Sequence, residues 1–499
     1  MADFDIAIIG GGINGAGIAR DAAGRGLSVL LVEQNDLASG TSAASTKLIH
    51  GGLRSLEHGA FNLVRKALAE REVLLQLAPH LIRPMRFVLP VDPALRSEWM
   101  LKLGLFIYDH IGGRKILPAT RVFELAKDPA GQSLRSDFRT AFEYSDCWVD
   151  DSRLVILNVL DAAERGATIR TRIRMANVER GDIWRFTLEN GGLRAAMSAR
   201  ILINAAGPWV GQVSEHMLQM PGRPPVRLVK GSHIMVRKLF DHDRAYIFQN
   251  TDRRVIFALP YERDFTLIGT TDEEFTGEPS GAKPSADETV YLCRAVNHYF
   301  RAQIGPKQVL GHYAGVRALY DDGSGKPEDI TRDYHLIVDD RAHAAPLLTI
   351  YGGKITTYRR LAEEAIDLLG RHLRDAPHWT AHAPLPGGDF AYNGVEAMIA
   401  AACANWPFLG EPTARRLVRA YGTRIDRILG TAKTPQQLGP LFGADLTAAE
   451  VRYLMRNEWA MIPDDILWRR TKLGLRLSKA ERDALAAFMA GESAHAKAS

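Results

Sequence analysis

The chain has 499 residues, too many for one hydrophobic core, so about two or three domains are expected. Its 46% hydrophobic content excludes a disordered or low-complexity protein and is ample for sizeable cores. The net charge of +5 and pI near 9.0 come without a nucleic-acid motif or long basic run; no nucleic-acid partner is expected, and small anionic substrates or an anionic membrane surface suit the charge better.

The first elements are a short apolar strand, a glycine-rich turn and a helix, "DIAIIGGGINGAGIARDAAGRG" from Asp5, followed by a second strand, "LSVLLVE", ending on Glu33. Gly10, Gly12 and Gly15 stand at G-x-G-x-x-G spacing, the form of a βαβ dinucleotide-binding unit. Gly10 permits the tight turn, Gly12 lets backbone approach a pyrophosphate, and Gly15 lets the helix pack on the strand. The helix start offers N–H groups and a positive dipole end to phosphates. Glu33, about 20 residues on, suits the ribose hydroxyls of an adenosine and disfavours a 2′-phosphate. Gly10, Gly12, Asn14, Gly15 and Glu33 are the contacts expected here, with NAD and FAD both open.

The next segment, Ser39 to Glu57, begins with small and hydroxyl residues that suit a backbone lying along a cofactor, then sets Lys47, His50 and Arg54 around Gly51 and Gly52. Farther on, "ATIRTRIRMANVER" and "IWRFTLEN" read as strands and "ARILINAAG" as a buried strand, while "VIFALPYERDFTLIGTTD" alternates and reads as a hairpin. "APLLTIYGGKITTYRRLAEEAIDLL" reads as strand, glycine turn and amphipathic helix, and beyond a break near Gly387 helical patterns dominate. Cys147, Cys293 and Cys403 are widely spaced, so neither disulfides nor a metal site is expected, and the compartment is expected to be reducing. With the first strand starting behind Asp3 and no apolar run near the ~18 residues of a membrane span, a cytoplasmic protein is expected.

These motifs carry a specific resemblance. "TSAASTKLIHGGLR" from Thr41 resembles the flavin-contacting segment of FAD-dependent glycerol-3-phosphate dehydrogenases, within the D-amino-acid-oxidase-like flavoprotein superfamily. "FEYSDCWVDDSRL", "NAAGPWV", "KGSHIMV", "IGTTDEEF", "YAGVRALYDD", "ITRDYHL", "YGGKITTYRRLAE" and "EWAMIPDDILWRRTKLGL" follow in the family's order across nearly the whole chain. The likeness is to the aerobic, respiratory enzymes of bacteria. It implies an α/β fold: a Rossmann-like FAD domain in three pieces (1–74, 145–210, 310–385), a mixed-sheet substrate or cap domain in two (75–144, 211–309), and a C-terminal helical domain (388–499). It also implies FAD as cofactor, sn-glycerol 3-phosphate as substrate, a membrane quinone as acceptor, peripheral attachment to the cytoplasmic face of the inner membrane, and a homodimer.

Such chemistry needs a hydride acceptor, a base, a phosphate cradle and exclusion of water. The resemblance places His50 and His233 as candidates for the base and Arg317 and Lys354 as catalytic cations. Arg54, Thr270, Arg317, Arg332 and Lys354 would bind substrate, the guanidinium forks and the ammonium suiting a phosphate. Thr41, Ser42, Ser45, Lys47, Leu48, Gly51, Ala206, Gly207, Gly353 and Thr356 would join the cofactor site. Two positions depart from the family: Ser55 stands where tyrosine is usual, and Ala318 where proline is common. An FAD enzyme for an amino or hydroxy acid, and a non-catalytic flavin-binding redox sensor, stay open as rival readings.

Overall fold

The computed structural model describes residues 2–498, apart from 58, 93, 96, 221–225, 253 and 322–332. β1 (Phe4–Ile9) turns through Gly10 into α1 (Ile13–Gly24), and the chain returns as β2 (Val29–Glu33). Ile6, Ala7 and Ile8 have no exposed surface, as a central parallel strand covered on both faces requires. The strands Thr168–Thr171, β2, β1, Leu193–Asn204 and Leu347–Tyr351 lie side by side in parallel, and His335–Asp339 adds an antiparallel edge. Arg174–Arg180 and Trp184–Asn190 form a hairpin that continues onto the first half of Leu193–Asn204. Ile18, Ala19 and Ala22 of α1 share a core with Leu154 and Leu157 of helix Asp151–Glu164 and with Leu361 and Ala365 of helix Tyr358–Leu368. The last approach is close because a Cβ on Gly17 would stand 2.7 Å from the Tyr358 ring.

The second sheet is mixed and larger. Val226–Arg237 pairs antiparallel with Phe265–Gly269, which pairs with Val255–Tyr261; the expected hairpin closes at Tyr261 opposite Phe265. Ala245–Gln249 then runs parallel to Ile82–Pro90, which pairs with Thr140–Val149, and Leu48–Ile49 finishes the row. Gly311–Tyr320, expected in the third cofactor-domain piece, belongs to this sheet: it pairs along Val226–Arg237 from Val226 opposite Tyr320 to Met235 opposite Gly311. Thr140–Val149 likewise crosses the 144/145 boundary without a break. Among the described residues of that third piece, only the strands at 335–351 join the first sheet.

Beyond Gly387 the helices Val395–Asn405, Glu411–Tyr421, Ala448–Asn457 and Lys479–Ala498 enclose their own core, with Ile399, Val418, Leu454 and Leu485 buried. This unit docks on the first sheet's helix Asp151–Glu164 through charge as well as apolar contact. Arg153 donates to the Glu458 carboxylate at 3.0 Å and to the Ala420 carbonyl at 2.8 Å, with both partners of the ion pair essentially inaccessible. Removing one member strands a buried charge, so Glu458→Gln should lower stability by about 3–5 kcal/mol, read as a drop in thermal midpoint; a drop no larger than that of an exposed substitution would refute the assignment.

Candidate active site

A cavity of about 1500 Å³ runs along the seam between the two sheets. Ordinary ligand clefts span roughly 300–1,000 Å³, so this one has room for a dinucleotide and a substrate beside it. Its first wall is the turn between β1 and α1. Gly10 has φ +111°, and a Cβ there would meet the Ala205 carbonyl at 2.6 Å. Gly12 supplies no side-chain cap to α1, and Gly12, Ile13 and Asn14 at the helix start line the cavity, the kind of helix end that suits a phosphate. Glu33 accepts from the Gly11 and Asn35 N–H groups at 2.7 and 2.8 Å, and burial raises its pKa against those bonds. Asn14 donates to the Gly352 carbonyl at 3.0 Å, while its buried Oδ1 has no partner among the described residues. An extended backbone cradle with one orphaned acceptor, a Gly10 that no Cβ can replace and a carboxylate at the position expected for the ribose fits FAD.

The small-residue loop leaves the first sheet after Glu33 and enters the second at Leu48, lining the cavity with Thr41, Ser42, Ser45 and Leu48. Ser42 accepts from the Ile13 N–H at 2.9 Å, tying the loop to the helix start. Lys47 does not line the cavity. It is buried with φ +60°, and its ammonium bonds Asp151 at 2.9 and 3.0 Å and the Ala43 carbonyl at 3.2 Å. The Asp151 charge lifts the Lys47 pKa above its ordinary value although desolvation opposes this. Gly51 is also off the lining: its N–H donates to the Tyr108 hydroxyl at 2.8 Å, which donates to Asp146 at 2.8 Å. Burial pushes the Asp146 carboxyl up to about 6 despite Arg71. Gly15 stays behind the turn, where a Cβ would stand 2.0 Å from the Gly10 carbonyl. These residues hold the site's shape from behind.

At the other end of the cavity stand His50, Arg54, His233, Thr270, Arg317 and Lys354. His50 closes Leu48–Ile49; its N–H donates to Thr356 at 3.3 Å and its ring meets Phe257 edge-on. Arg54 and Arg317 converge on Asp272, at 3.9 and 2.8 Å. Lys354 follows Gly352 and Gly353, both at positive φ. Ala206, Gly207, Gly353 and Thr356 all line the wall, as expected, whereas Arg332 lies outside the described residues. Asp272 was not singled out from sequence, although it sits two residues after Thr270 in the same motif.

His233 is stacked on Tyr313 at 4.7 Å and hydrogen-bonded through Nε2 to the Thr46 hydroxyl at 3.0 Å. It lies opposite Gly269 in register, where a Cβ would strike its ring at 2.1 Å. Burial, with Lys47 and Arg317 nearby, lowers its pKa to about 3; burial does the same to His80. An unfolded histidine titrates near ~6.5, so below that pH the unfolded chain takes up protons that the folded one refuses. The stability is therefore complete above about 6.5 and is lost as pH falls towards about 3. His233→Gln should flatten the fall of the thermal midpoint between about pH 7 and 5; an unchanged slope would mean His233 is protonated in the native state.

Comparison with known proteins places this geometry. Residues 5–359 match the family model described as FAD dependent oxidoreductase, and residues 378–496 match the C-terminal domain of alpha-glycerophosphate oxidase. A glycerol-3-phosphate dehydrogenase of Pseudomonas aeruginosa is 48% identical over 99% of this chain and 96% of its own length. A D-erythritol 1-phosphate dehydrogenase of Brucella abortus is 48% identical over 96% of each. Among solved structures, the Bacillus halodurans glycerol-3-phosphate dehydrogenase complexed with FAD superposes with a TM-score of 0.75 at 28% identity, covering 94% of this chain and 86% of that one. The chain is thus an enzyme of the FAD-dependent oxidoreductase family, built on a Rossmann-like FAD domain with a C-terminal helical domain, and FAD is its cofactor.

Proposed function

We propose that this enzyme oxidises sn-glycerol 3-phosphate at its secondary carbon to dihydroxyacetone phosphate and passes the electrons to a membrane quinone. The observation that carries the reading is the convergence of Arg54 and Arg317 on Asp272 in the wall of the cofactor cavity, with Lys354 on the same lining. A phosphate monoester carries about −1.5 to −2 charges at neutral pH, so this cation density suits it better than the single carboxylate of an amino or hydroxy acid. Two paired guanidiniums also offer the planar fork that phosphate oxygens accept.

The flavin supplies the hydride acceptor; the chain's part is to bind, orient and manage the proton. Arg54 and Arg317, with Lys354, anchor the phosphate and thereby fix the carbon whose hydrogen leaves. Thr270 donates to a substrate oxygen. His50, which lines the cavity, takes the hydroxyl proton, whereas burial makes an imidazolium costly at His233. His233 stays neutral and orients its neighbours through Thr46. Arg317 and Lys354 stabilise the alkoxide charge that develops as the bond breaks.

One observation favours a second reading, a longer polyol phosphate. Ser55 lines the cavity where the family usually presents a tyrosine, and the smaller side chain leaves room beside Arg54; the Brucella relative is named for D-erythritol 1-phosphate. The test is anaerobic mixing of the yellow protein with candidate substrates. Bleaching of the flavin band by sn-glycerol 3-phosphate, but not by glycerol or amino acids, is the expected result. Bleaching by D-erythritol 1-phosphate alone would assign the second reading, and bleaching only by an amino or hydroxy acid would overturn both.

The helix Glu98–Ile111 supports the membrane contact. Trp99, Met100, Leu103 and Phe106 are 67, 52, 51 and 60% exposed, whereas Leu101, Leu105 and Tyr108 on its other side are buried. No described helix is long and apolar enough to cross a membrane, so this one lies in the interface plane. Met100, Leu101, Gly104 and Leu105 also line the cavity, which gives a quinone an apolar approach. Replacing Trp99 and Phe106 together by Glu should release the protein from anionic vesicles and abolish quinone reduction while sparing reduction of a soluble dye. Unchanged vesicle binding would exclude this helix as the contact.

A further inference from the structure

The C-terminal motif "EWAMIPDDILWRRTKLGL" plays no part in the chemistry above, yet it reaches the cofactor cavity. Ile462, Asp464 and Arg469 line the cavity along with Glu33 and with Asn35 and Asp36 just after it, at the end the ribose carboxylate marks as the adenosine end. The contact is built, not incidental. Asp36 is 2% exposed and is held by both Arg469 and Arg470, the latter reaching Oδ1 at 2.9 Å. Arg469 also donates to Asp465 at 2.6 Å. Asp465, fully buried, accepts from Arg172 at 2.6 and 2.8 Å, and from the Met461 and Ile462 N–H groups at 2.8 and 3.1 Å. Arg172 in turn donates its backbone N–H to the Asn35 carbonyl at 2.9 Å, and the next N–H, of Ile173, goes to the Glu33 carbonyl at 3.0 Å.

Two buried carboxylates, one from each domain, are therefore stitched together by three guanidiniums around the turn that follows Glu33. Beside this lock Ile462 keeps 44% of its surface exposed on the cavity lining. An apolar side chain left open next to a ribose-binding carboxylate matches the face of an adenine ring.

We propose that the C-terminal domain is part of the dinucleotide site: Ile462 packs on the adenine, and Arg469 with Arg470 fixes the Asn35–Asp36 turn so that Glu33 is set for the ribose. Cofactor binding and docking of the domain are then reciprocally coupled. The catalytic end of the cavity takes no part in this.

The test is the affinity of the flavin-stripped full-length protein for FAD and for FMN, which lacks the adenosine half, read by flavin fluorescence. Ile462→Glu, a change at an exposed side chain that leaves the fold intact, should weaken FAD by about tenfold or more, within the usual span of coupling between sites, and leave FMN unchanged. Arg469→Ala should do the same, with Arg469→Lys retaining part of the affinity. Addition of FAD should also slow proteolytic cutting between the domains, near Gly387, in the unsubstituted protein but less so in the variants. Unchanged FAD affinity in Ile462→Glu, or equal loss of FAD and FMN, would overturn the proposal while leaving the flavin assignment standing.

Discussion

The buried ion pair between Lys47 and Asp151 is the interaction on which the rest of the architecture depends. Asp151 begins the helix that covers the first sheet, and Lys47 ends the loop that leaves that sheet for the second. Asp151 also accepts from the Ser45 hydroxyl at 2.8 Å, so one carboxylate fixes the whole turn from Ser45 to Lys47. The pair stands where Thr140–Val149 hands over to the helix, with Tyr313 of the second sheet lying over the ammonium at 5.2 Å. Losing either partner would strand a charge in an apolar interior, a cost of several kcal/mol. The two sheets are therefore held in one relative position, and the cavity between them keeps one shape.

That constraint also sets the electrostatics. Burial opposes a proton on His233, and the nearby charges of Lys47 and Arg317 add to it. A histidine kept neutral and packed flat on Tyr313 is a rigid hydrogen-bonding plate. Asp272 bridges Arg54 and Arg317, so one carboxylate offsets part of the charge of the two guanidiniums.

The parts of this arrangement legible in the sequence are those whose physics is local. The β1–α1–β2 unit follows from a turn, a helix start and an acid within about 30 residues, and the hairpin from Val255 to Gly269 from alternation alone. Gly311–Tyr320 was not placed by such signals, because strand membership is decided by a partner far along the chain, here Val226–Arg237. Lys47 illustrates the same limit. Its position in a flavin-contacting motif suggested a cofactor ligand, but its charge is taken by Asp151, 104 residues away. Asp36 and Arg470 are 434 residues apart, and nothing in either neighbourhood announces that they meet. Gly10, Gly15 and Gly51 each stand where a side chain would collide with backbone or core, and of the three only Gly10 lines the cavity.

In the proposed reaction the anchored phosphate and the placed histidine direct hydride loss from the secondary carbon of the substrate. Rapid anaerobic mixing with sn-glycerol 3-phosphate carrying deuterium at carbon 2, and separately at carbon 1, measures this directly through the rate of flavin bleaching. A marked slowing is expected for the carbon 2 label and none for the carbon 1 label. Slowing by the carbon 1 label alone would place the oxidation at the terminal alcohol and contradict the orientation derived from Arg54, Arg317 and His50.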